Sequence, residues 1–76
     1  MQKTLYSTKY QRLLKWLKDS RIEKGFSMRS LADELHVPHS FVGKVEQGER
    51  RLDIVEYMTY CKVLGVDPIE GLKILK

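Results

Sequence analysis

Residues 27–48, SMRSLADELHVPHSFVGKVEQG, constrain the fold of this chain more than any other stretch, because they predict two short helices with almost no chain between them. The first helix is predicted over 28–35, since its apolar residues have the spacing of one buried stripe and Ser27 is a good N-cap. That stripe consists of Leu31, Ala32 and Leu35. The next four residues, His36–His39, are too few for an element of their own, so the chain must turn sharply there.

The second helix of the pair is predicted over 38–47. Val37 precedes a proline, which disfavours helical geometry at Val37 and ends the first helix. Pro38 is suited to the first helical turn, where its missing N–H costs nothing. Gly48 is suited to end the helix in the left-handed conformation.

The two sides of this second helix differ in chemistry. Its buried side is expected to be Val45 with either Phe41 or Val42. Its other side is polar and slender: His39, Ser40, Gly43, Lys44 and Gln47. Two helices with a short corner form the helix-turn-helix unit, whose second helix enters the DNA major groove. An ordinary antiparallel helix pair in a small bundle is the alternative.

The run LADELHVPHSFVGKVEQGERRLDIVEYMTYCKVLGVDP closely resembles the phage Cro/C1-type repressor domain, also called the Xre-type helix-turn-helix. In that family a Leu-Ala helix is followed by a Val-centred turn, a recognition helix ending in Glu-x-Gly, and a helix ending in Ala/Val-Leu-Gly-Val. The likeness covers about residues 12–75. It implies an all-α, compact five-helix, lambda-repressor-like domain over 10–76, acting as a sequence-specific double-stranded-DNA-binding transcriptional regulator and, more narrowly, a repressor.

Before the corner, the sequence pattern predicts a loose arm over 1–9 and one amphipathic helix over 10–24. Lys3 and Lys9 in the arm are candidates for phosphate or minor-groove contacts, and fraying without a role is the favoured alternative. Trp16 is assigned to the core or a subunit contact rather than to base stacking.

The sequence pattern assigns no function to the arginines of the first helix. Arg12 and Arg21 are expected to be solvated or paired with an acidic residue one turn away. Gly25 is expected to stop the helix.

Two more helices are predicted after the corner. One covers 54–64 with Asp53 as its cap, and the other covers 69–75 after Asp67 as its cap and Pro68 in its first turn. The expected buried stripe of the fourth helix is Val55, Met58, Cys61 and Leu64, and its expected flanking residues are Tyr57 and Tyr60.

The resemblance, carried over position by position, implies a set of DNA contacts. The expected base contacts are His39, Ser40, Gly43 and Lys44, and the expected phosphate contacts are Arg29, Gln47 and Arg50. Lys44 is the strongest candidate, because it can reach guanine O6/N7 or an adjacent phosphate. Arg51 is expected to pair internally with Glu46 or Glu49.

Three positions depart from the family pattern. Met28 stands where a phosphate-binding Gln is common, so the phosphate anchor there passes to Arg29 and backbone N–H groups. Gly43 stands where Ser is usual and lets the helix approach the groove closely, at a cost of about 1 kcal/mol in helix propensity. His36 replaces a frequent turn glycine, which predicts a positive φ at a non-glycine residue.

The apolar residues of the last helix exceed what one short helix needs to bury. A homodimer face is therefore predicted from Tyr60, Val63, Ile69, Leu72 and Leu75, with burial inside the monomer as the alternative. The rival function is an antitoxin-like protein-interaction module whose DNA binding is secondary or lost. Met28 and Gly43, which remove two usual hydrogen-bonding side chains, keep that rival open.

The amino-acid composition limits which classes of function and which compartments remain possible. Fourteen Lys and Arg against ten Asp and Glu give a net charge of +4, which suits a polyanionic partner without being diagnostic. The single cysteine rules out an internal disulfide and favours a reducing cytoplasm. Neither a spanning apolar run nor a signal-peptide core is present. His36 and His39 lack acidic or cysteine partners at ligand spacing, so no metal site is expected. One cysteine and two histidines, with Cys61 at a position where the family has a small buried residue, give no signature of catalysis, and no cofactor is implied.

Overall fold

The computed structural model describes residues 7–76, which form five α-helices and no strand. The helices are α1 (Thr8–Glu23), α2 (Met28–Leu35), α3 (Ser40–Glu46), α4 (Ile54–Leu64) and α5 (Pro68–Ile74). The all-α, five-helix prediction is confirmed. None of the helices among these residues is both long enough and apolar enough to cross a bilayer. Lys3 and the rest of the predicted arm up to residue 6 lie outside the described residues.

The first helix begins two residues earlier than the sequence pattern indicated. Ser7 acts as the N-cap, because its side chain accepts a hydrogen bond from the backbone N–H of Tyr10 at 3.1 Å. Lys9 therefore belongs to the first turn of α1 and not to an arm. Gly25 has a φ of 83° just after the helix, which is the left-handed geometry expected of a terminating glycine.

The corner between α2 and α3 has the predicted shape with one correction. Ser27 and Ser30 cap each other's backbone N–H groups at 3.0 and 2.9 Å, and α2 ends at His36 with φ 59° and ψ 44°. The second helix begins at Ser40 and not at Pro38, with His39 as N-cap. The turn before it is of the tighter 3₁₀ type, because the Phe41 N–H donates to the Pro38 carbonyl three residues back, at 2.9 Å.

The core takes residues from the first four helices: Leu13, Leu14, Leu17, Leu31, Ala32, Val42, Val45, Tyr57, Tyr60, Cys61 and Leu64. For α4 the predicted stripe was half wrong, since Val55 and Met58 are 69% and 49% exposed. Tyr57 and Tyr60 lie inside instead. Both stripes share Cys61 and have helical spacing, so periodicity could not separate them. Burial of Tyr57 is made possible because its hydroxyl donates to the Pro68 carbonyl at 2.6 Å.

The last helix closes the domain against α1 and α4. It starts with Pro68 at its first position, one residue earlier than predicted, and Asp67 caps it by accepting from the Ile69 N–H at 2.9 Å. Trp16 packs against the core from α1, as expected. The arrangement leaves α3 in contact with α1 and α2.

Candidate nucleic-acid interface

The polar side of α3 is open to solvent. Val42 and Val45 on the opposite side are fully buried against α1 and α2. His39, Ser40, Lys44 and Gln47 are all exposed, and Gly43 is half-buried between them. A short helix that buries one side and exposes a polar, slender side has the shape that fits a major groove.

A buried ion pair joins α3 to α1. The Arg21 guanidinium donates through Nε to Glu46 Oε2 at 2.6 Å and through Nη2 to Oε1 at 3.2 Å. Its Nη1 donates to the Phe26 carbonyl at 2.9 Å, so the pair also holds the loop before α2. This corrects the expectation that Arg21 is solvated or paired one turn away. The missed signal is that Arg21 lies four residues after Leu17, on the buried stripe of α1.

Three polar side chains join the beginning of α3 to α2. Arg29 Nε donates to His39 Nδ1 at 3.2 Å, and His39 Nε2 lies 2.9 Å from Asp33 Oδ1. Because Nδ1 accepts from the arginine, the ring proton is on Nε2 and donates to the carboxylate. Both ring nitrogens of His39 therefore have partners within residues 7–76.

Two of the three departures from the family pattern, Met28 and Gly43, are neighbours in space. A Cβ added at Gly43 would lie 3.5 Å from Met28 Sδ, which is an ordinary van der Waals distance. Met28 therefore lies over the part of α3 that has no side chain, and it is itself exposed. The surface there is apolar where the family pattern would place two hydrogen-bonding groups.

The two arginines after α3 differ in their partners. Arg50 donates to both carboxylate oxygens of Glu56, with Nη2 to Oε2 at 2.5 Å, and its guanidinium lies 5.1 Å from the centre of the Phe41 ring. These bonds raise the pKa of Arg50 and, with the backbone N–H of Asp53, lower the pKa of Glu56. Arg51 is exposed and makes no ion pair within residues 7–76. The internal pair that was expected for Arg51 is therefore made by Arg50, with Glu56 as its partner.

A family model described as Helix-turn-helix matches residues 17–70, which include the corner and the helices that support it. The chain belongs to the Xre-type helix-turn-helix family. This helix-turn-helix protein is accordingly a DNA-binding transcriptional regulator.

Solved structures agree with that assignment. The helix-turn-helix protein is similar to an XRE-family like protein from Pseudomonas syringae pv. tomato str. DC3000, with 42% identity, a TM-score of 0.83, and coverage of 95% of this chain and 88% of that one. It is also similar to the restriction-modification controller protein C.AhdI from Aeromonas hydrophila, with 30% identity, a TM-score of 0.69, and coverage of 83% and 91%.

A curated relative points the same way. The uncharacterized HTH-type transcriptional regulator YqaF of Bacillus subtilis (strain 168) is 30% identical over 53 residues, which are 70% of each chain. The resemblance drawn from the sequence is confirmed by these matches.

Proposed function

We propose that the protein is a homodimeric repressor that reads a two-fold symmetric operator with the exposed side of α3. The observation that carries this proposal is the uncovered polar surface of α3, held in place by the buried Arg21–Glu46 pair. A reading helix must keep one orientation while its polar side enters the groove. A cytoplasmic location is part of the proposal, since the protein would act on DNA there.

Direct base contacts are assigned to the middle and beginning of α3. Lys44 is exposed and long enough to reach guanine O6/N7, and Ser40 can donate to or accept from a base edge. Gly43 allows close approach of the helix backbone. His39 acts through the arginine that it binds rather than by touching a base.

Phosphate contacts are assigned around this reading surface. Arg29 keeps both Nη groups without partners among the described residues, so its fork is available to a phosphate. Gln47 lies exposed at the C-cap of α3. Arg51 is assigned the phosphate contact that was expected for Arg50, since Arg50 is held by Glu56.

The proposed dimer face is an apolar surface shared by α4 and α5. Its exposed residues are Ile54, Val55, Met58, Ile69, Leu72 and Leu75. Tyr60, expected on this face, is 1% exposed and is part of the monomer core, and Val63 is half-buried. Tyr60 is therefore removed from the proposed face, because α4 turns its Tyr57/Tyr60 side inward.

This face lies beside the reading helix. An apolar groove is lined by Val37 of the corner, Phe41 of α3 and Val55 of α4. Two copies joined through α4 and α5 would present both reading helices on one side of the dimer. The domain measures 30 × 23 × 20 Å, so two adjacent copies can span the spacing of about 34 Å between successive major grooves.

The decisive experiment is selection of bound sequences from random duplexes by the purified protein. We expect an inverted repeat with half-sites about 10 bp apart, centre to centre. Absence of any enriched sequence would reject sequence-specific reading. An enriched single half-site without a repeat would reject the dimer while keeping the reading helix.

Dimerisation is tested separately by sedimentation equilibrium. Met58→Glu places a charge in the proposed face and should give a monomer, while Ile22→Glu, which alters an exposed apolar residue on α1, should not. A wild-type protein that stays monomeric on its operator would reject the dimer. No specific DNA binding at micromolar protein, together with a stable heteromeric complex in a pull-down, would favour the rival protein-interaction module. Repression is tested with a reporter promoter carrying the selected site, whose expression should fall, and a rise would assign activation.

A further inference from the structure

We propose that Asp33 is a positioning residue for DNA binding, which acts through His39 to hold the Arg29 guanidinium ready for a backbone phosphate. The inference rests on the proposed function, since it deepens the role of the surface around α3. Asp33 itself touches no DNA in this scheme.

The two hydrogen bonds form a chain in which Arg29 donates to His39 and His39 donates to Asp33. Asp33 Oδ1 lies 2.9 Å from His39 Nε2, which fixes the proton on that nitrogen. The opposite nitrogen, Nδ1, is then a lone-pair acceptor and receives the Arg29 Nε–H at 3.2 Å. Without the carboxylate, the ring is free to carry its proton on Nδ1, and Arg29 loses its acceptor.

The hydrogen bond to His39 leaves the two Nη groups of Arg29 available. It uses only Nε, and within residues 7–76 neither Nη group has a hydrogen-bond partner. Parallel N–H groups of a guanidinium match two phosphate oxygens. Holding Arg29 at one point reduces the side-chain freedom that it would otherwise lose on binding DNA.

The proposal predicts an effect opposite in sign to simple electrostatics. Asp33 is an exposed carboxylate next to a surface that approaches a polyanion. If its charge alone mattered, removing it would tighten DNA binding, because a repulsive group would be gone. If it positions Arg29, removing it weakens DNA binding.

The experiment compares Asp33→Ala with Asp33→Asn by fluorescence anisotropy on the selected operator at several salt concentrations. Asp33→Ala should weaken binding about five- to tenfold and lower the salt slope by about 1, the loss of one phosphate contact. Asp33→Asn should retain binding, because its amide oxygen still accepts from Nε2–H. The control Glu34→Ala removes an exposed charge from the same helix and should leave binding unchanged or slightly tighter.

A double-mutant cycle with Arg29→Ala separates positioning from a general loss of structure. In the Arg29→Ala background, Asp33→Ala should produce no further weakening, because the residue through which it acts is absent. The inference is overturned if Asp33→Ala binds as tightly as wild type, if Asp33→Asn loses as much as Asp33→Ala, or if the two effects simply add. Wild-type protein that shows no salt-dependent operator binding would reject the proposed function together with this inference.

Discussion

Arg21 in the last turn of α1 and Glu46 at the end of α3 form a two-pronged ion pair whose side chains are only 8% and 5% exposed. The two residues are 25 positions apart in sequence. A buried pair of this kind adds little net stability over apolar packing, but it is costly to break. It fixes one orientation of the reading helix.

Removing one member of this pair should destabilise the protein strongly. We expect Glu46→Ala to lower the free energy of unfolding by about 3–5 kcal/mol, because Arg21 is left charged and buried without an anionic partner. Urea denaturation followed by circular dichroism measures it. The exposed pair Lys15–Asp19 supplies the control, and Asp19→Ala should cost less than about 1 kcal/mol. Similar losses for both variants would contradict the special role of the buried pair.

Alanine at two helical glycines should have opposite effects on stability. At Gly71 a Cβ would overlap the Tyr57 hydroxyl and lie 2.6 Å from Trp16 Cζ3, so Gly71→Ala should lower the free energy of unfolding by about 1–3 kcal/mol. At Gly43 the added Cβ meets only Met28 Sδ at 3.5 Å. Gly43→Ala should therefore raise the free energy of unfolding by up to about 1 kcal/mol through helix propensity. Urea midpoints at unchanged slope report both. Equal changes in the two variants would disprove the packing argument.

The exchange of roles between Arg50 and Arg51 is testable by salt dependence. Arg51→Ala should reduce the slope of log K against log salt by about 1, since Arg51 is free to neutralise a phosphate. Arg50→Ala removes an arginine already paired with Glu56 and should leave that slope nearly unchanged. Titrations of the operator duplex at four or more salt concentrations measure both slopes. The opposite ranking would restore the phosphate role to Arg50.

The stability contribution of Glu56 should depend on pH. Hydrogen bonds from Arg50 and from the Asp53 backbone hold the pKa of Glu56 below its ordinary value of 4.5. A carboxyl group with a lowered pKa in the folded state stabilises it above the unfolded-state pKa, and this contribution is lost as the pH falls through the folded-state pKa. The stability advantage of wild type over Glu56→Gln should therefore shrink between about pH 6 and pH 3. Parallel stability curves for the two proteins would rule out this linkage.

Lys44 should contribute to the choice of base. Lys44→Ala should weaken binding to the selected operator by about 1–3 kcal/mol and relax selectivity at one position of each half-site. Lys73→Ala removes the same charge from α5, which does not pack against α3, and should have little effect. Binding to operators with single base changes measures the selectivity. Equal losses on every duplex would reassign Lys44 to a phosphate.

Local features of this chain could be predicted because their causes are local. Ser27 and Asp53 cap their helices through residues three positions away, and the proline after Val37 enforces the corner. The left-handed His36 follows from the end of α2. The bounds of α2 and α4 were correct for the same reason. The exposed polar side of α3 also followed from spacing alone.

Packing choices required the tertiary structure. The fourth helix has two overlapping apolar stripes, and only its neighbours α1, α2 and α5 select the one containing Tyr57 and Tyr60. That choice removes Tyr60 from the proposed dimer face and exposes Val55 and Met58 in its place.

The sequence by itself determined the helices, their caps and the polar side of α3, since these depend on residues within a turn or two of one another. Only the tertiary structure decided which charges are partners. Arg21 meets Glu46, Arg50 meets Glu56, and Arg29 reaches Asp33 through His39. A charged side chain pairs with whichever opposite charge the fold brings within about 4 Å, and sequence spacing does not reveal that distance.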